Sequence, residues 1–357
     1  MKNFQLPLRE DFERCFDKLK SHLIILENNR GMKVALSDYG ARIVSVLVPD
    51  KNGKKVDVVL GFDHIDKYVG ANECYHGATI GRFANRIANG KFTINEKVFE
   101  IECNNGPNAL HGGKSGFHSQ VWSRRVNIKQ QVEFYLVSRD GEGGFPGNLT
   151  VVVEYTLTED NELIIRYYAH TDKETVVNLT NHAFFNLNGE GRELVDNHQV
   201  YIDADYYLPV DLNQIPTGEK IPCKGSAFDF TSLSLLQDQF NSSDEQIKDA
   251  GGFDHTFILN NYKNNPLKKP VAKVISPLTG IELNVFTDQP GIQFYTGNAL
   301  RGNDTGKSGV AYEKHSAFCL ETQGFPDAPN QPSFPSSFLK PGEVFKSETR
   351  YQFKVLK

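Results

Sequence analysis

The sequence predicts an all-β protein, and three observations carry that expectation. Residues 149–157 (LTVVVEYTL) and 163–170 (LIIRYYAH) are rich in β-branched and aromatic side chains and flank Thr158-Glu159-Asp160-Asn161, the pattern of a hairpin. Similar runs lie at 23–27, 32–37, 43–48, 56–60, 132–137, 271–275, 281–286 and 351–355. Gly, Pro, Asn and Asp punctuate them about every ten residues, as in large sandwiches and barrels. Finally, no strand-like run alternates with a long helical one, which argues against a doubly wound α/β sheet.

Helical signal is confined to two places. Leu8, Phe12, Phe16 and Leu19, spaced by three and four, predict one amphipathic N-terminal helix. Residues 232–250 predict another short one. With no Pro- or Ser-rich linker, low-complexity tract or solenoid period, residues 1–357 are expected to form a single domain.

Composition narrows the classes of function. The formal net charge is −5, which offers no electrostatic footprint for nucleic acid or an anionic membrane. The Lys51–Lys55 and 263–269 lysine clusters are short and broken, and read as solvated loops. The first twenty residues are too charged for a secretory signal, and no apolar run approaches the roughly 18 residues of a spanning helix. Cys15, Cys74, Cys103, Cys223 and Cys319 are scattered and odd in number, the usage of a reducing compartment. The expected setting is cytoplasmic.

Polar residues crowd inside apolar, strand-like runs in four segments: 77–92 (GATIGRFANRIANGKF), 104–113 (NNGPNALHGG), 176–189 (VVNLTNHAFFNLNG) and 318–332 (FCLETQGFPDAPNQP). Two lesser ones are 251–257 (GGFDHTF) and 289–298 (QPGIQFYTGN). A strand carrying Asn178, Thr180, Asn181 and His182 between Val177, Leu179, Phe184 and Leu187 must satisfy many buried donors and acceptors. Such a strand is expected to line a polar cleft. No CxxC pair, HExxH, phosphate-binding glycine loop or GxSxG elbow is present, so neither a metal nor a nucleotide is expected. Amides, carboxylates, guanidinium and aromatic faces remain, and these suit a neutral polyhydroxyl ligand.

The segments GRFANRI, NALHGG, NLTNHAFFNLNG, GFDHTF, QPGIQFYTGN and CLETQGFPDAPNQP, in this order, resemble the aldose 1-epimerase (galactose mutarotase) family. That resemblance implies a β-supersandwich and interconversion of the α and β anomers of free hexoses such as galactose and glucose, with no cofactor. It also implies a small-molecule partner only, acted on by a monomer or weak homodimer. Carried over by position, it makes His182 the general acid and Glu321 the general base. Asn85, Arg86, His111, Asp254 and Gln293 fall on the family's sugar-binding positions. Phe184 stands where relatives often carry Tyr, so a hydroxyl is absent there.

By pattern alone His182 reads as readily as a hydrogen-bonded core histidine, and Glu321 as half of a structural salt bridge. Likewise Asn85, Arg86, His111 and Asp254 could be turn or cap residues, and Gln293 part of an amide ladder. His118, His255 and His315 read as packing or surface residues. The rival functions are a sugar-phosphate 1-epimerase, for which the motifs offer only Arg82 and Arg86 as cations, and a non-catalytic carbohydrate-binding protein of the same fold. A glycosidase would want paired carboxylates in place of a His/Glu pair.

The chemistry asks for a base at the anomeric hydroxyl and an acid at the ring oxygen, each contributing about 10²- to 10⁴-fold. Glu321 is expected to be ionised at neutral pH, and His182 to need carboxylate neighbours to be protonated there. Activity is expected to survive prolonged dialysis against EDTA; a rate lost to the chelator and restored by one metal would refute metal independence.

Overall fold

The computed structural model describes residues 5–260, 262 and 267–356. Residues 1–4 and Lys263 of the second lysine cluster lie outside the described residues.

Alternation of side chains decides the architecture. In strand Leu149–Leu157 the side chains of Leu149, Val151, Val153, Tyr155 and Leu157 are buried and those between them are half-exposed. The strand pairs antiparallel with Gln131–Ser138 on one side and Glu162–Thr171 on the other, the second pairing being the hairpin expected from sequence. The sheet continues through Phe345–Val355, Ile281–Thr287, Ala272–Ile275 and Gln199–Ile202. Ser123–Ile128 and Ser234–Leu235 form its edges, giving nine strands.

A five-stranded antiparallel sheet runs in the order Ile221–Pro222, Ala204–Leu208, Asp254–Leu259, Gly291–Tyr295, Cys319–Gln323. A four-stranded meander, Leu23–Glu27, Lys33–Ser37, Arg42–Pro49 and Lys55–Asp57, forms a third sheet. One apolar cluster draws on all three: Val34 and Val46 from the meander, Val153, Ile165 and Val285 from the large sheet, and Phe257, Ile292, Phe294 and Leu320 from the five-stranded one. The result is the expected all-β sandwich. Its α-helices, among the described residues, are Ile65–Val69, Leu236–Phe240 and Glu245–Ala250.

Two sequence expectations change. The N-terminal amphipathic helix does not form. Glu10–Phe12 is a single 3₁₀ turn, and Cys15–Phe16 pairs with Leu19–Lys20 in a tiny hairpin. Asp17 has φ 50° in the turn between those strands, a conformation a continuing helix cannot hold. Phe12 is buried, but Leu8 and Leu19 are 59% and 50% exposed, so no continuous apolar stripe exists to be covered. The run 56–60 is also divided. Only Lys55–Asp57 belongs to the meander; beyond it Val59 bridges to Phe185, and the Leu60 N–H donates to the Phe184 carbonyl at 2.8 Å. That departure seats the segment carrying His182.

Phe294, fully buried, has the rings of Phe230, Phe253 and Phe257 within 6.4 Å between centroids. Phe294→Ala is expected to cost about 3–5 kcal/mol, read as a lowered urea midpoint; a change under about 1 kcal/mol would mean that this cluster does not hold the sheet.

Candidate active site

The five-stranded sheet presents its second face to a cleft. Pairing aligns Gln293 with Glu321 and with Thr256, and Asp254 with Tyr295. Since side chains alternate, burying Phe257, Ile292, Phe294 and Leu320 on one face places Asp254, Gln293, Tyr295, Cys319 and Glu321 on the other. A second group arrives on short crossing segments. Thr180–Asn181 pairs with Thr79–Ile80, and Arg86–Ile87 pairs with Ala109–Leu110. His182 follows directly, its N–H donating to the Ala78 carbonyl and its own carbonyl accepting from Gly77, each at 2.9 Å. Gly77 has φ +67° and a Cβ there would lie 1.9 Å from the Ile43 carbonyl oxygen, so only glycine lets these chains cross.

Arg42, buried, ties these segments to the meander. Its guanidinium donates to the carbonyls of Tyr39 (2.8 Å), His118 (2.7 Å) and His76 (3.3 Å). It also lies over the rings of Tyr39 and Tyr68.

The cleft encloses about 660 Å³ and is lined by Arg86, His111, His182, Asp254 and Glu321, together with Glu73, Tyr75, Asn104, Asn105, Tyr295, Asn298 and Arg301. His182 Nε2 stands 3.6 Å from Glu321 Oε1, both residues being almost completely buried. Glu321 Oε2 has no hydrogen-bond partner in the protein. Opposite, an Arg86 amino nitrogen lies 3.8 Å from Asp254 Oδ2, and Arg86 Nε donates to Asn105 Oδ1 at 2.9 Å. The Tyr75 ring stacks on His182 with centroids 5.7 Å apart and meets His111 edge-on at 4.6 Å.

Five of the seven sequence-predicted site residues thus line one cleft. The other two stand behind it. Gln293 Nε2 donates to Asp254 Oδ1 at 2.7 Å and its Oε1 accepts from Thr256, so both ends of the amide are engaged. Asn85 is locked to His111: its N–H donates to His111 Nδ1 (3.1 Å) and its carbonyl accepts the His111 N–H (3.0 Å). Arg82, counted among the cations of the motifs, is buried away from the cleft and donates to the carbonyls of Pro146, Gly147 and Ser138. His255 is buried and accepts the Asp254 N–H on Nδ1, and His315 stacks on Phe240, as expected of packing residues. The lining residues named above that sequence did not single out are Glu73 and Tyr75, which precede the first polar segment in a stretch without apolar periodicity, and Arg301, which lies just past the segment 289–298. Tyr295, Asn298 and Cys319 did lie inside flagged segments.

Electrostatics departs from expectation. Burial pushes His182 down to about 4, and it holds Glu321 well above the ordinary carboxylate range, with Asp254 and Glu73 adding to the rise and Arg86 opposing it. Desolvation therefore outweighs mutual attraction, and the carboxylate neighbours do not keep His182 charged. Each shift favours the uncharged form of its group. Half-buried Glu73 is pushed up to about 7 by desolvation, with Asp304 and Asp254 adding to the rise. His111, His182 and Glu321 also offer ligand atoms within 4.8 Å of one another, the one such group among the described residues. A proton-sharing site and a divalent-cation site have this proximity in common, and the chelation experiment separates them.

The aldose 1-epimerase family model matches residues 22–352. The chain belongs to the aldose 1-epimerase family. It is 45% identical over 324 residues to human galactose mutarotase, covering 91% of this chain and 92% of that protein. It is 40% identical over 339 residues to the aldose 1-epimerase of Escherichia coli K12, covering 93% and 94%. Among solved structures, the aldose epimerase homologue from Caenorhabditis elegans superposes with a TM-score of 0.86 at 31% identity, covering 94% of this chain and all of that one. Galactose 1-epimerase from Lactobacillus acidophilus gives 0.83 at 30%, covering 96% and 97%. All of the site segments described above fall within the span matched by the family model.

Glu321→Gln removes a desolvated acid set beside Asp254 and Glu73. The variant is expected to melt at the wild-type temperature or about 1–2 °C above it by calorimetry. A fall of more than about 5 °C would make Glu321 half of a structural ion pair.

Proposed function

We propose that this chain interconverts the α and β anomers of free aldoses, galactose and glucose among them, by opening and reclosing the sugar ring. The observation that carries the reading is the His182–Glu321 pair, 3.6 Å apart at a cleft whose other wall holds Arg86 and Asp254. In the form that reacts, the pair's one proton sits on His182 and Glu321 is ionised: Glu321 takes the proton of the anomeric hydroxyl while His182 protonates the ring oxygen. The C1–O5 bond breaks, C1–C2 turns by about half a rotation, and the ring closes on the opposite face with the protons returned. His111, Arg86 and Asp254 bind ring hydroxyls, Arg86 also countering negative charge as it develops. Asn85 and Gln293 support His111 and Asp254 and do not themselves contact the sugar.

The one-domain reading of residues 1–357 is supported by the apolar cluster shared by all three sheets. A reducing, cytoplasmic setting is supported by five free cysteines, and no helix among the described residues is long and apolar enough to cross a membrane. We keep the assembly as a monomer or weak homodimer. Of the two cations that the motifs offered a sugar phosphate, Arg82 is taken up by backbone carbonyls away from the cleft, which leaves Arg86 with Lys114 and Arg301 at the lining.

Polarimetry of freshly dissolved α-galactose and α-glucose, with and without protein, tests the reaction. Glu321→Gln and His182→Asn are each expected to lose about 10²-fold or more in kcat with little change in galactose affinity. Arg86→Ala is expected to raise KM as well as lower kcat. If the first two variants turned over at the wild-type rate, after correction for spontaneous mutarotation, the acid–base assignment would be wrong.

The pH profile follows from the two shifts. Below about 4 His182 takes up a second proton while Glu321 remains protonated, so the base is lost. Well above the ordinary carboxylate range Glu321 releases the pair's only proton, so the acid is lost. The rate is expected to be bell-shaped with a plateau wider than unperturbed groups would allow, its limbs belonging to the pair as a whole. An acid limb centred near the ordinary histidine value of 6.5 would contradict the effect of burial.

A further inference from the structure

Glu73 lines the cleft, yet nothing in the mechanism uses it. Its stretch of chain is anchored on both sides. Asp304 accepts the Asn72 N–H (3.0 Å) and Asn72 Nδ2 (3.1 Å) on one oxygen, and the Glu73 N–H (2.9 Å) on the other. Two residues further on, the Tyr75 ring stacks on His182. Between these anchors the Tyr75 N–H donates to Glu73 Oε1 at 3.1 Å. That bond ties one carboxyl oxygen to the local backbone. Oε2 has no hydrogen-bond partner among the described residues.

We propose that Glu73 is a further sugar-contacting residue, whose unpartnered oxygen accepts a hydroxyl of the aldose other than the anomeric one. The inference rests on the reading of the cleft as an aldose site given above. Glu73 binds and exchanges no proton with the sugar; His182 and Glu321 keep the chemistry. A carboxylate only accepts hydrogen bonds, and hydroxyls are the donors that a neutral aldose supplies.

No cation competes for this oxygen. The titratable groups around Glu73 are the acids Asp304, Asp254 and Glu321, the thiols of Cys74 and Cys319, and the phenols of Tyr75 and Tyr295. Of the cations at the lining, Arg86 is engaged by Asp254 and Asn105, and Lys114 by Glu102. Arg301 makes no ion pair with Glu73.

These surroundings give the contact a pH dependence. Desolvation, with Asp304 and Asp254 adding to it and the Tyr75 N–H opposing, pushes Glu73 up to about 7. The ionised carboxylate is the stronger acceptor, so the sugar is held better above that value than below it. Linkage requires the converse: bound sugar favours the ionised form and lowers the pH at which Glu73 titrates.

Polarimetry with galactose from about pH 6 to 8 compares wild type with Glu73→Gln, whose amide stands in for the protonated acid. Wild-type KM is expected to fall about three- to tenfold as pH rises through this range. The KM of Glu73→Gln is expected to stay flat, near the wild-type value at the acid end, with kcat within about twofold. The 2-, 3-, 4- and 6-deoxygalactoses locate the contact: one of them is expected to erase the difference between the two proteins at the alkaline end. Independently of turnover, spectra of ¹³C-glutamate-labelled protein, assigned with Glu73→Gln, are expected to show Glu73 titrating at lower pH when galactose is bound. A wild-type KM that stays flat overturns the proposal and needs no variant to fold. So does a difference kept by every deoxy sugar, the mark of a charge acting at a distance, or a Glu73 titration that galactose leaves in place or raises. A wild type that did not accelerate mutarotation would instead sink the anomer-interconversion reading, because the spectra report sugar binding alone.

Discussion

The two-sidedness of the five-stranded sheet governs the rest of the molecule. One face is committed to the common core through Phe257, Ile292, Phe294 and Leu320. Antiparallel register then leaves no choice about which residues meet on the other face. A slip of one residue in strand Cys319–Gln323 would turn Glu321 into the core and Leu320 into the cleft. The large hydrophobic term that holds the sandwich together is therefore the same term that places the carboxyl, and the precision of the site is inherited from packing.

Burial also sets the chemistry. A carboxyl and an imidazole on an open surface would titrate near their ordinary values and interact weakly through water. Here both are buried, His182 against the rings of Tyr75, Phe184 and Tyr295, and burial disfavours the charged form of each. Reasoning from residue types predicted an ionised Glu321 and a His182 that carboxylate neighbours would have to keep protonated, because it could not count the water removed.

Much of the fold was legible for a physical reason: alternating strands print their buried face directly into the sequence. Leu149–Leu157 and Leu23–Glu27 are recovered to the residue. The N-terminal stretch misled because Leu8, Phe12, Phe16 and Leu19 mimic a helical stripe, although two of them face solvent. In the site, Asn85 and Gln293 were readable as belonging to the constellation but not as lying outside the cleft lining, since a sequence pattern does not record which of its residues is in front. Tyr75 was invisible for a different reason. Its importance lies wholly in which ring it covers, and that ring is more than a hundred positions away in the chain.

If His182 and Glu321 act as proposed, sharing one proton, the solvent is left out of the exchange. On the proposed reading the pair lends a proton to the ring oxygen and receives one from the anomeric hydroxyl. On reclosure the two transfers run backwards. The site therefore ends each cycle, in either direction, in the state in which it began, and no hydronium, hydroxide or buffer molecule takes part in the stoichiometry. Spontaneous mutarotation borrows its acids and bases from the medium. On that reading the cleft is a closed proton store, and a small set of side chains suffices for catalysis that neither consumes nor produces anything but the other anomer.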